Sequence, residues 1–214
     1  MRTPLHLAAR ETGNVDIARL LMEKGANVNA KDRDGELPLT LAAWKGFTAV
    51  IDALLDRGAS YDTGKNRELI TLRTAADCGC FRLFKRMWEE RADLSANEQA
   101  NRTTMTRAVR GGSVEIVKLL LARNLSINIT ANSYGWTALH FVARRGHAEM
   151  VAFLAERGID LNARTLSGKS AYNLALDAKQ TEAADALARV GASTAPARFP
   201  ELKGPYLGQP PPGL

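Results

Sequence analysis

The sequence has few of the residues that carry most enzymatic and metal chemistry. It has two cysteines and three histidines in 214 residues. Cys78 and Cys80 are too few for a structural zinc site, which needs about four ligands, and too close in sequence for a long-range disulfide. No Ser/His/Asp or Cys/His arrangement stands out, and there is no glycine-rich phosphate loop. These shortages predict a non-catalytic protein without a metal or a cofactor.

Long apolar runs and prolines are also scarce over most of the chain. No apolar stretch approaches the ~18 residues that a membrane helix needs. Met1 leads into polar sequence without the apolar segment of a signal peptide, so the default expectation is a soluble cytoplasmic protein. Six of the eight prolines lie after residue 193. Residues 194–214 are therefore expected to form a Pro-rich tail, either a disordered linker or a segment that docks onto the preceding helices.

What the chain does have is a period. Glycine recurs in steps of 33 or 34 residues, at Gly13, Gly46, Gly79, Gly112 and Gly146. A second register follows 12 residues behind and holds Gly25, Gly58, Arg91, Asn124, Gly158 and Gly191. A period near 33 predicts a solenoid, in which each repeat buries its apolar face only by stacking on its neighbours.

The fifth repeat is the most regular. Thr137 is expected to cap a first helix over 138–144, and Gly146 to end it in a left-handed conformation. A second helix is expected over about 148–156, with Gly158 as its end. The repeat thus predicts two short antiparallel helices joined to the next repeat by a turn.

These phrases resemble a known family. Thr-Pro-Leu-His-Leu-Ala-Ala at 3–9 and Thr-Ala-Leu-His at 137–140 resemble the signature that opens an ankyrin repeat, and Gly-Ala-Asn-Val-Asn-Ala at 25–30 resembles its close. The resemblance covers about 1–193 and implies an all-α ankyrin-repeat solenoid with β-turn or hairpin connections. It also implies that His6 and His140 make structural hydrogen bonds across neighbouring turns. The six repeats are 1–30, 31–63, 64–96, 97–130, 131–163 and 164–193.

Repeats 3 and 4 depart from the signature. They read Ile-Thr-Leu-Arg at 70–73 and Thr-Thr-Met-Thr at 103–106, and Arg91 and Asn124 replace the closing glycine. Asparagine tolerates a left-handed backbone better than arginine does, so an irregular turn is expected near Arg91. At the ends, repeat 6 has the polar surface of a cap, whereas repeat 1 does not. We therefore expect either a monomer or an association through repeat 1.

Ankyrin repeats usually bind partners through their turn tips and the concave side of each first helix. Here the net charge of +6 is concentrated between residues 96 and 147, which hold seven basic and two acidic residues. The resemblance and the charge together predict a partner-binding site with partly exposed aromatic side chains and an arginine-rich surface. Its predicted members are Trp44, Lys45, Arg102, Arg107, Arg110, Tyr134, Trp136, Arg144 and Arg145, with Arg102 at a turn tip.

The predicted function is a non-catalytic protein–protein interaction module that binds an acidic protein or peptide. One alternative is an accessory scaffold of a larger, bacterial multidomain protein whose catalytic or propeller-like domain is absent from this chain. Another is nucleic-acid binding through the basic segment, which would give a steep salt dependence.

Overall fold

The computed structural model describes residues 1–62, 65–90, 98–127 and 134–196, with the side chains of 65–67 and 98–100 left out. Within these ranges the protein is all-α, with twelve α-helices that form stacked pairs. The helices are α1 (Pro4–Leu7, continued by a π-helical turn Ala8–Thr12), α2 (Val15–Glu23), α3 (Pro38–Lys45), α4 (Thr48–Asp56), α5 (Lys65–Asp77), α6 (Phe81–Glu90), α7 (Glu98–Gly111), α8 (Val114–Leu121), α9 (Ala138–Arg145), α10 (Ala148–Ala155), α11 (Ala171–Asp177) and α12 (Thr181–Arg189). No helix in these ranges is long and apolar enough to cross a membrane.

The chain divides into two compact parts. The N-terminal part is Met1–Leu119, and the C-terminal part begins at Leu120. In the N-terminal part, α3 packs on α5 and α5 packs on α7. In the C-terminal part, α9 packs on α11 and α10 packs on α12. Each part thus pairs first helices with first helices and second helices with second helices, as a repeat stack requires.

Helix ends follow the sequence closely in the fifth repeat. Thr137 is the N-cap residue of α9, and Gly146 ends that helix with a φ of 81°. Gly158 follows α10 with a φ of 70°, and Asn124 adopts the left-handed conformation with a φ of 60°. The predicted bounds of both helices in this repeat are confirmed to within one residue. Arg91 lies outside the described residues, so the irregular turn expected there stays a prediction.

The turn tips of repeats 2 and 6 are hairpin-like. The Asp32 amide donates to the Glu36 carbonyl at 3.0 Å, and the Thr165 amide donates to the Lys169 carbonyl at 2.9 Å. Each tip turns at a glycine with positive φ, at residue 35 or 168. An isolated antiparallel bridge joins Arg164 to Ser170 across the second of these tips.

Repeats 3 and 4 replace such tips with longer helices. α5 has 13 residues and α7 has 14, against eight in α3 and α9. Residues 65–69 and 98–102 contain no glycine or proline, and no Asp-Gly or Ser-Gly turn signal, so nothing stops the helix from starting early. The prediction that Arg102 lies at a turn tip is therefore wrong, because Arg102 lies within α7.

The signature histidines connect consecutive repeats. The Thr137 amide donates to His140 Nδ1 at 3.0 Å, which leaves the proton on Nε2, and Nε2 donates to the Lys169 carbonyl at 3.3 Å. His6 makes the same pair of contacts, with the Thr3 amide and the Glu36 carbonyl. Both imidazoles are fully buried. Their predicted structural role is confirmed.

Both end repeats expose large apolar side chains. In repeat 1 those of Leu7, Ile17 and Leu20 are about half exposed. Repeat 6 exposes the acidic side chains of Glu182 and Asp185, but Leu166 and Leu176 are also half exposed or more. The association predicted through repeat 1 stays a prediction. Residues 197–214 lie outside the described residues, and with them most of the Pro-rich tail.

Candidate partner-binding site

In the N-terminal part, the last turn of α3 carries an exposed aromatic and basic pair. Trp44 is 46% exposed, and Lys45 beside it is also exposed. A tryptophan with this much surface in water is uncommon in a packed repeat and typical of a contact residue. The predicted exposure of Trp44 is confirmed.

Arg107 and Arg110 of α7 face an acidic side chain on α5. Arg110 donates from Nε and Nη2 to the two carboxylate oxygens of Asp77, at 2.8 and 2.6 Å. Arg107 approaches the same carboxylate at 3.5 Å. The side chain of Arg110 is only 18% exposed. Arg110 thus joins two repeats, and this paired geometry does not support the predicted role in partner binding.

The Asp77–Arg110 pair follows from the period, although the sequence analysis missed it. The two residues lie 33 positions apart and so occupy the same place in consecutive repeats. Gly111 brings the helices close, since a Cβ atom there would run into the carbonyl oxygens of Ala76 and Asp77. A residue without a side chain is therefore what permits this approach.

Arg73 is a further basic residue of this region that the sequence analysis did not select. It stands where His6 and His140 stand in their own repeats, and its buried Nε has no hydrogen-bond partner in the described part of the chain. Burial lowers the pKa of Arg73, and the neighbouring charge of Arg107 lowers it further. The α5–α7 surface thus holds the guanidinium groups of Arg73, Arg107 and Arg110, of which Arg107 and Arg110 pair with the Asp77 carboxylate.

The two cysteines lie at the turn that follows α5. Gly79 between them has a φ of 67°, as expected of a helix-ending glycine. The sulfur atoms of Cys78 and Cys80 are bonded to each other, a local bond that the sequence analysis, which excluded a long-range disulfide, did not predict. The described residues contain no group of three or more metal-ligating side chains.

In the C-terminal part, Trp136 is buried rather than partly exposed. It is 6% exposed and packs against Phe141, with ring centroids 5.0 Å apart, and against Leu174 of the next repeat. The half-buried Tyr134 packs on the same cluster. The expected exposure of Trp136 is wrong, because most of the ring fills the gap between two first helices and only an edge of it faces solvent.

Arg144 and Arg145 at the end of α9 contrast with the arginines of α7. The guanidinium of Arg144 lies over the Trp136 ring, 5.6 Å from its centroid. Arg145 is exposed. Among the described residues neither forms an ion pair with a carboxylate. Two adjacent positive charges thus stay uncompensated at this point of the surface.

These arginines border an open pocket of about 410 Å³. It is lined by Trp136, Phe141, Arg144, Arg145, His147 and Gln180. The sequence analysis did not assign Phe141, His147 or Gln180 to a site. The period could have indicated part of this set, since His147 and Gln180 lie 33 positions apart and so occupy equivalent places in consecutive repeats.

Comparison with known proteins agrees with the fold. A sequence profile described as "Ankyrin repeats (3 copies)" matches residues 1–65, 72–165 and 131–195. The chain belongs to the ankyrin-repeat family. The human ASB11 ankyrin repeat domain has a similar structure, with a TM-score of 0.53 and 24% sequence identity over 90% of this chain and 85% of that one.

Other ankyrin-repeat relatives differ widely in length. The B-cell lymphoma 3 protein homolog of Mus musculus is 34% identical over 164 residues, which are 74% of this chain and 36% of the relative. The ankyrin repeat and KH domain-containing protein mask-1 of Caenorhabditis elegans is 31% identical over 67% of this chain and 7% of its own length. The putative ankyrin repeat protein YahD of Escherichia coli is 28% identical over 87% of this chain and 96% of the relative. The chain thus spans a small part of the first two relatives and nearly all of the third.

Proposed function

We propose that this ankyrin-repeat chain is a non-catalytic interaction module that binds an acidic protein or peptide through the first-helix surfaces of its repeats. The observation that carries the proposal is the pair of uncompensated guanidinium groups of Arg144 and Arg145. Arginine pairs carboxylates through two parallel hydrogen bonds, so such a pair is well suited to an acidic partner.

The surface of the N-terminal part supports the same function with a second contact. Trp44 offers exposed aromatic area, which is typical of binding hot spots, and Lys45 places a positive charge next to it. Arg107 is 39% exposed and shares one carboxylate with Arg110, and Arg102 lies exposed on the same helix. In this proposal Trp44, Lys45, Arg102 and Arg107 contribute contact and charge, while Arg110 holds the repeats together.

Selection from a random peptide library displayed on phage tests this function without assuming a partner. The intact chain is used as the target, and we expect the enriched peptides to carry more acidic residues than the starting library. Enrichment of neutral or basic peptides would contradict the proposal, as would the absence of any enrichment.

A parallel gel-shift assay with generic DNA and RNA addresses the alternative partner class. We expect no shift at salt concentrations where the selected peptides bind, since Asp77 already neutralises part of the basic segment. Tight, salt-dependent nucleic-acid binding together with failed peptide selection would replace the proposed function with nucleic-acid binding.

A further inference from the structure

The open pocket beside α9 combines charge, hydrogen-bonding groups and an apolar wall. Arg144 and Arg145 place two guanidinium groups at its edge, and the exposed edges of the largely buried Trp136 and Phe141 rings form an aromatic side. Its volume of about 410 Å³ is large enough for one or two amino-acid side chains. All of its residues belong to the C-terminal part, so the pocket is complete within α9–α12 and the tip before them.

Three polar side chains of this pocket, those of Arg144, Arg145 and Gln180, make no hydrogen bond or ion pair within the described part of the chain. Arg144 is held over the Trp136 ring by a cation–π contact, which orients its guanidinium without neutralising it. Gln180 is the N-cap residue of α12, and its side chain makes no capping hydrogen bond. Gly146 leaves the space that the Gln180 amide occupies, because a Cβ atom at residue 146 would collide with that amide. Two cationic donors and one amide are thus available to a ligand.

We infer that this pocket binds one anionic group of an extended peptide, a carboxylate or a phosphate, together with the apolar side chain next to it. The inference rests on the proposed function and names the chemistry of the partner. Arg144 and Arg145 pair the anion, the Gln180 amide donates to it, and the neighbouring apolar side chain lies on the aromatic side of the pocket.

The geometry favours a peptide over a polyanion. Nucleic acids need a row of basic side chains that follows successive phosphates, whereas here two unpaired arginines meet at one place. An apolar wall beside the charge makes no favourable contact with a phosphate backbone, but it can pack against a Leu or Phe side chain next to an acidic residue. The pocket therefore distinguishes partners by two neighbouring side chains, not by net charge alone.

Nuclear magnetic resonance of the intact, ¹⁵N-labelled chain tests the inference. The three indole N–H signals are assigned from their loss in Trp136→Phe and in Trp44→Phe, and that of the buried Trp88 serves as the internal reference. The probes are capped peptides that carry Glu-Leu, Gln-Leu, Glu-Gly or phosphoserine-Leu between Gly-Ser flanks. We expect Glu-Leu to shift the Trp136 signal saturably without moving that of Trp88, and Gln-Leu and Glu-Gly to bind roughly tenfold more weakly, about 1.4 kcal/mol each.

The phosphoserine probe separates the two sources of the anion. Tighter binding than Glu-Leu identifies phosphorylated segments as the preferred partner, and weaker binding identifies carboxylates. Equal binding of Glu-Leu and Gln-Leu would overturn the inference, as would a Trp136 shift produced by an oligonucleotide but by none of the peptides.

Substitutions in the pocket test whether Arg144 and Arg145 bind the Glu-Leu peptide. Arg145→Ala removes an exposed side chain without a structural partner, so the fold should be unaffected and the Glu-Leu affinity should fall roughly tenfold. Arg144→Ala/Arg145→Ala should abolish the shift, whereas Arg19→Ala/Arg57→Ala, which removes the same charge from exposed sites of the N-terminal part, should leave it unchanged. A shift that persists in the pocket variants would overturn the inference.

The outcomes for the pocket and for the function are distinguishable. If the display experiment selects acidic peptides that leave the Trp136 signal unmoved, the interaction function stands and the pocket assignment is wrong. If no peptide is selected and none of the four probes binds, the proposed function itself fails.

Discussion

At the scale of single residues, His140 shows how the fold sets the charge of a side chain. It is fully buried, and burial lowers its pKa to about 4, with the hydrogen bond to the Lys169 carbonyl offsetting only part of the effect. The imidazole is therefore neutral at pH 7, as the hydrogen bond from Thr137 to Nδ1 requires. In repeat 6 Asn173 occupies the same position and accepts the Ser170 amide in the same way.

This depressed pKa predicts a loss of stability in mild acid. The unfolded chain protonates His140 near its ordinary pKa of 6.5, whereas the folded chain resists protonation until about 4. The stabilisation is therefore complete above pH 6.5 and is lost as the pH falls towards 4, by about 3 kcal/mol in the free energy of unfolding. His140→Asn keeps the cap and removes the titration, so urea unfolding should show a flatter pH dependence than the wild type. An unchanged pH dependence in the variant would contradict the assignment.

Arg110 and Arg102 lie on one helix and should respond differently to truncation. Arg110→Ala leaves Asp77 without its bidentate partner at a site that is mostly buried, so the free energy of unfolding should fall by about 1–3 kcal/mol. Arg102→Ala removes an exposed side chain and should change it by less than about 0.5 kcal/mol. Thermal or urea unfolding of both variants measures this difference. Equal stabilities would show that the Asp77–Arg110 pair contributes nothing to the fold.

At the scale of helices, the sequence predicted the helix bounds well in the regular repeats and poorly in the degenerate ones. Thr137 and Gly146 carry their own start and stop signals, so the bounds of α9 could be predicted from local chemistry. The early starts of α5 and α7 also depend on the packing between these two long helices, which the sequence does not show, although the absence of turn residues that permits them can be read from it. The repeat period identifies equivalent positions in the repeats, but it does not predict at which residue a first helix begins.

The close approach of α7 to α5 gives a test at this scale. In an isolated helix Gly111→Ala would be stabilising by up to about 1 kcal/mol, because alanine is the better helix former. Here the new Cβ meets backbone carbonyls of Ala76 and Asp77, which cannot rotate away as a side chain could. We expect a net destabilisation of about 1–3 kcal/mol by urea unfolding. Gly111 lies within α7 and is not among the glycines with positive φ, so backbone strain does not contribute to this loss, and a more stable Gly111→Ala chain would refute the packing argument.

At the scale of the whole molecule, the repeat period determines which side chains of consecutive repeats lie next to each other. Differences in sequence between the repeats then determine which charged side chains form ion pairs and which can bind a partner. Asp77 lies one period before Arg110 and neutralises it, whereas Asp177, one period after Arg144, pairs with Lys169 at 2.7 Å instead. The composition alone suggested one arginine-rich site, since it cannot distinguish paired charges from unpaired ones. Trp136 was misjudged for a similar reason, because its burial depends on Leu174 of the following repeat.

The central claim is that the unpaired arginines of α9 carry the binding of an acidic partner. Its most direct test is the affinity of the intact chain for the most enriched acidic peptide, measured by calorimetry at about 50 and about 200 mM salt for the wild type, Arg144→Ala/Arg145→Ala and Arg19→Ala/Arg57→Ala. We predict that the pocket variant loses at least tenfold in affinity and most of the salt dependence, while the control variant matches the wild type. Equal affinities and equal salt dependence in all three chains would contradict the claim.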